Sequence, residues 1–132
     1  MSKELEEYIA NWIKKARHDI ITAQTILEYQ PLILDVVCFH CQQAIEKYLK
    51  VFLVANGVAL DKTHNLNYLQ SLCAEIDIDF IEFDFKTLTE YAVNARYPDD
   101  FFMPELEETK QYLSLCIEIE KIIKQKINFK EK

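Results

Sequence analysis

Three sets of polar residues in this sequence have types and spacing suited to chemistry. The first is His40, Gln43, Lys47 and Lys50, which recur at three- and four-residue steps and fall within about 80° of one another on a helix. A ridge with two lysines suits an anion such as phosphate, or a subunit interface. Its plainer role is a solvated helix face with Glu46–Lys50 as an i, i+4 ion pair. The second set is Asn94-Ala95-Arg96-Tyr97-Pro98-Asp99-Asp100, which holds one of only two arginines, Arg17 and Arg96. A guanidinium beside Tyr97 and Asp99 makes a good phosphate or base contact. A cation at the end of a helix is also favoured as a cap. The third is Asp19, which helical phasing places among Trp12, Ala16, Ala23 and Ile26. A carboxylate inside an apolar stripe is costly without a partner. It is either half exposed at the stripe edge or ion-paired with Arg96 or Lys47.

Cys38 and Cys41 form a C-x-x-C on the same predicted helix as the ridge. Zinc needs two further ligands, and neither a second C-x-x-C nor an H-x-x-x-H is present, so these cysteines read as small buried apolar residues and no metal is expected. There is no Glu-x-x-His for a di-iron bundle. The serines, Ser2, Ser71 and Ser114, lie in no nucleophile elbow. No cofactor is implied.

The elements that position these groups are helices. Leu5, Ile9, Trp12, Ala16, Ile20, Ala23 and Leu27 predict a helix over 4–29, and Pro31 separates it from a second over 32–56. That second helix carries Leu34, Val37, Cys41, Ile45, Tyr48, Leu49 and Phe52 as a wide apolar stripe, and Gly57 ends it. Asp61, Thr63 and Asn65 are N-cap candidates for a shorter helix with Leu66, Leu69, Leu72, Cys73 and Ile76 on one face. The alternating stretch 77–83 lacks a partner strand and is expected as a loop that docks Phe80, Ile81 and Phe83 on the bundle. Asp84 is expected to cap a fourth helix that stops near Arg96, because Tyr97 precedes Pro98. Pro104 is expected to open the last helix. The result is one all-α domain over 1–132, an antiparallel up-and-down bundle of four to five helices.

Composition narrows the function classes. One glycine in 132 residues leaves no material for a Rossmann fingerprint or a P-loop. The net charge is −7 and is uneven. From Glu75 to Glu108 eleven acids stand against Lys86 and Arg96, a net of −9. An acidic surface repels long duplex DNA. The acidic first ten residues and the lack of a long apolar run predict a cytoplasmic protein with reduced thiols and no membrane span.

The chain resembles the HEPN domain family over roughly 12–127. The resemblance lies in Ala16-Arg17-His18-Asp19-Ile20, in the run from Phe39 through His40, Gln42-Gln43-Ala44 and Glu46-Lys47 to Lys50, in His64-Asn65-Leu66, and in Ala95-Arg96-Tyr97-Pro98. It implies a helical homodimer that binds a nucleotide or RNA, often as the partner of a minimal nucleotidyltransferase in a toxin–antitoxin-like module. On that reading Arg96 and Lys47 contact phosphate and Gln43 and His64 supply hydrogen bonds. Tyr97 and Asp99 lie beside them, and Asp19, Glu46 and Lys50 are structural polar residues. Some members are metal-independent endoribonucleases with Arg, four to six residues, then His. Here neither Arg96 nor Arg17 has a His in that window, so the resemblance leans away from an enzyme. An atypical Arg96 site with His64 or His40 as base, and a purely structural interaction module, are the alternatives.

Overall fold

The computed structural model describes residues 1–94 and 103–131. Helix α1 spans Lys3–Tyr29 and α2 spans Leu34–Ala55. α3 follows at Leu66–Ile76, a short α4 at Tyr91–Asn94 and α5 at Leu106–Lys126. Two 3₁₀ turns, Ile78–Glu82 and Leu88–Glu90, lie between α3 and α4. There is no strand among the described residues.

The connection 30–33 reverses the chain, so α1 and α2 form an antiparallel hairpin with the most extensive helix contact among the described residues. α5 and α3 pack on other sides of α2, and α4 adds to them. Ile9, Ile13, Ala16, Ile20 and Ala23 of α1 meet Val37, Cys41, Ala44, Ile45 and Tyr48 of α2, with Cys116, Ile119 and Ile123 of α5 completing the core.

The helix ends follow side-chain chemistry. Ser2 Oγ accepts from the Leu5 amide at 3.1 Å, and Asn65 Oδ1 accepts from the Tyr68 amide at 3.1 Å. Gly57, at φ +78°, closes α2: its amide bonds Val54 O at 3.0 Å and the Val58 amide bonds Leu53 O at 2.9 Å. Those are the two bonds of a Schellman motif, which needs a left-handed residue at this position. Asn128, at φ 54°, does the same for α5, with the Phe129 amide on Lys124 O at 2.9 Å.

Several local expectations are corrected. Residues 78–82 are a 3₁₀ turn rather than a plain loop. Its three-residue period puts Phe80 and Phe83 on one side. Phe80 is fully buried against Phe52, with ring centroids 4.6 Å apart, whereas Ile81 is turned out and 65% exposed. Asp84 caps no helix: its Oδ1 accepts from the Lys86 amide at 2.9 Å, and Lys86 takes φ 49°. This local turn competes with a helix start, so the helix expected from Asp84 begins later, with a 3₁₀ turn at Leu88–Glu90 followed by Tyr91–Asn94, and the expected stop near Arg96 lies outside the described residues. Pro104 lies one residue before the N-cap Glu105, so it precedes α5 rather than opening it.

Candidate functional site

α2 is the central helix, and fourteen of its 22 residues are buried, including Gln42, Glu46 and Lys50. The expected solvated ridge is therefore corrected. With α1, α5 and α3 packed around α2, its polar arc has no broad face left for water. The arc divides into two clusters that turn to different neighbours.

The first cluster joins α2 to α1. Lys47 Nζ donates to Asp19 Oδ2 at 2.6 Å, and His40 Nδ1 is 2.9 Å from Asp19 Oδ1. Asp19 is thus ion-paired, with Lys47 as its cation, and its side chain is only 14% exposed. Both carboxylate oxygens are engaged, so the charge is satisfied inside the stripe.

The second cluster joins α2 to the turn before α3. Glu46, with its side chain 6% exposed, accepts from Lys50 Nζ at 3.2 Å and Gln42 Nε2 at 3.2 Å, and its Oε1 lies 2.7 Å from His64 Nδ1. Gln43 Nε2 donates to Gln42 Oε1 at 2.6 Å. Gln42 Nε2 also donates to the His64 carbonyl at 3.0 Å, and so does Thr89 Oγ1 at 3.0 Å. Thr89 in turn accepts from the Leu66 amide at 3.0 Å. His64 is therefore held at its backbone from two sides and at its ring by a buried carboxylate, while its side chain is 63% exposed.

That geometry has a chemical consequence. An ionised carboxylate only accepts hydrogen bonds, so in this pair Nδ1 carries the proton. Nε2 has no hydrogen-bond partner among the described residues, so it stays open on a ring whose orientation is fixed: an acceptor while the ring is neutral, a donor when it is protonated. Lys50 offsets the Glu46 charge within the cluster, as a buried carboxylate requires.

Of the residues expected at the site, Gln43 and His64 come together through Gln42 and Glu46. Lys47 goes to the other cluster. Arg96, Tyr97 and Asp99 lie outside the described residues. Gln42 and Thr89 were missed. Gln42 belongs to the run that carries the resemblance, but its place among apolar residues of α2 gave no sign that its amide is buried against Glu46 and the His64 carbonyl, and Thr89 stands 25 residues from His64 in sequence.

A third cluster is structural. Glu120 of α5 accepts from Arg17 Nη1 at 3.0 Å and from the Tyr48 hydroxyl at 2.5 Å. Burial and the Glu120 carboxylate push the Tyr48 hydroxyl well above the usual phenol range, so it stays a donor. All four cysteines are buried. Burial pushes the Cys38 and Cys73 thiols up to about 12, which holds them as inert thiols.

A family model described as HEPN domain matches residues 9–127. This chain belongs to the HEPN domain family. The crystal structure of an archaeal HEPN homologue matches with a TM-score of 0.63 at 21% sequence identity, covering 90% of this chain and 97% of that one. At that identity the likeness is one of fold, and the shared element is the all-helical HEPN bundle. No curated protein matches the chain significantly. No described helix is long and apolar enough to cross a membrane. Within this HEPN domain, His64 on its Glu46 support is an exposed polar group held at both its ring and its backbone.

Proposed function

We propose that this HEPN-domain protein binds a nucleotide, free or as part of an RNA, at the exposed edge of His64. In this reading it acts as a homodimer and as the partner subunit of a nucleotidyltransferase in a toxin–antitoxin-like module. The ligand part is carried by one observation, the 2.7 Å contact between buried Glu46 and the ring of exposed His64. A fixed imidazole nitrogen offers a ribose hydroxyl or a protonated phosphate an acceptor at no cost in side-chain ordering. Gln43 is linked to it through Gln42 and Glu46 in the same hydrogen-bonded chain. Arg96 supplies the phosphate charge in this reading, because Lys47 and Lys50 are committed to Asp19 and Glu46. The homodimer and the partner subunit rest on the family resemblance.

The same pair favours a second reading, endoribonuclease activity. A carboxylate-held imidazole is a competent acceptor for a 2′-hydroxyl proton, and Arg96 would stabilise the developing charge. The absence of a His four to six residues after either arginine sets this behind binding.

Calorimetric titration with ATP, GTP and a short single-stranded RNA tests the proposal. Saturable binding by the wild type is expected, weakened about tenfold or more by His64→Ala or Arg96→Ala, the loss of one good charge-assisted hydrogen bond. Absence of binding by the wild type overturns it. Cleavage of the RNA during the titration, lost in His64→Ala, promotes the second reading.

A further inference from the structure

Away from the His64 cluster, a hollow of about 530 Å³ opens between the 78–82 turn and α5. Its floor is apolar and half-buried: Phe83 on one wall, Leu115 and Ile122 on α5. Its rim is acidic: Glu82 and Asp84 on one side, Glu118 on the other. Leu115, Glu118 and Ile122 follow one another at steps of three and four on α5, so they form one ridge along that helix.

The charge around this floor is unbalanced. Lys126 also lines the hollow, but its ammonium is spent on Asp77 at 2.5 Å and Asp79 at 3.2 Å. Glu82, Asp84 and Glu118 form no ion pair with any described residue. The backbone of the wall is pinned, because Gln70 Nε2 donates to Phe80 O and Phe83 O, both at 2.6 Å. The hollow is thus a built feature of the fold. Beside it the turn leaves Ile78 and Ile81 about two-thirds exposed, at 67% and 65%.

We infer that this groove docks a basic amphipathic helix from a protein partner. Apolar residues of that helix would fill the floor along α5, and Lys or Arg on its flanks would meet Glu82, Asp84 and Glu118. A half-buried apolar floor flanked by unpaired carboxylates fits the apolar face and basic flanks of a helix laid in a groove. The acidic rim disfavours nucleic acid, whose phosphates it repels. The inference does not depend on the nucleotide reading, which concerns other residues.

The test uses the full chain and a synthetic helical peptide of about 14 residues made only of Leu and Lys, with Leu on one face. A Leu and Glu peptide of the same pattern is the control. Binding of the basic peptide is expected, with NMR amide shifts gathered at residues 79–84 and 115–126. The Glu82→Lys, Glu118→Lys double variant should weaken it about tenfold, and added salt should weaken it further. Both positions are exposed and make no side-chain bond among the described residues, so the fold is expected to hold. Leu115→Ser, checked for native circular dichroism, should reduce binding through the floor. Equal binding of the Leu and Glu peptide, or shifts elsewhere, overturns the inference. So does indifference to charge reversal, or sedimentation data in which a second copy of this chain already fills the groove. Nucleotide titration of the charge-reversed variant is expected to match the wild type, so failure here is distinct from failure of the nucleotide reading.

Discussion

The two polar clusters on α2 use the same parts to different ends. Each has a carboxylate, a lysine and a histidine. Around Asp19 the histidine and the lysine both come from α2 and face α1, and all three side chains are largely covered. Around Glu46 the lysine is buried but the histidine comes from a turn and stands 63% exposed. The first cluster closes on itself and fastens two helices. The second fastens a turn and leaves one imidazole nitrogen facing outward. Charge that is fully consumed inside a bundle is structural, and charge that orients an exposed group is available for binding.

The largest test of this contrast is Glu46→Ala. It leaves Lys50 buried without its carboxylate, and removing one partner of a buried pair costs about 3–5 kcal/mol. Chemical denaturation should show that loss, together with loss of ligand binding. Asp19→Ala should cost less, about 1–3 kcal/mol, because the His40 and Lys47 side chains are 25% and 22% exposed, against 9% for Lys50, and can recruit water. Ligand binding at His64 should survive it once the protein is folded. His64→Ala should change stability by about 1 kcal/mol or less, since an exposed partner of a buried carboxylate contributes little to folding. A stability loss as large as that of Glu46→Ala would place His64 with the structural residues.

Asp77 supplies the smallest effect and a reference outside α2. The Lys126 ammonium and the Asp79 amide hold its carboxyl below the usual range. A lowered folded-state pKa contributes stability that is present above the unfolded value and is lost as pH falls through the folded one. Asp77→Asn should therefore show a small deficit near neutral pH that disappears in acid. A deficit that persists in acid would show that the side chain acts through packing instead.

Some of this organisation was legible in the sequence. Apolar periodicity marked α1, α2, α3 and α5, because each buries an apolar stripe, and signals such as Asn65 at the start of α3 and Gly57 after α2 bound them. The Asp19–Lys47 pair was one of the alternatives the sequence left open, beside Arg96 and a half-exposed Asp19, and the hairpin decides for it. A chain that turns back at 31–32 sets Asp19 opposite Ala44, midway between His40 and Lys47. The Glu46–His64 pair was not legible as a contact. It depends on how residues 56–65 cross back over α2, and that path has no periodicity to read. The burial of Lys50 was hidden for the same reason, since a polar arc on a helix looks solvated until another element packs on it. The start of the fourth helix was misjudged because Asp84 can serve a helix or a local turn, and Lys86 in the left-handed region decides for the turn.

The most direct measurement compares the two histidines in one experiment. Imidazole nitrogen signals of His40 and His64, assigned by His→Gln substitution, are followed by NMR as ATP or short RNA is added. A saturable shift of His64 Nε2 is expected, with His40 nearly still. Movement of His40 with His64 unchanged, or no movement of either at saturating ligand, would contradict it.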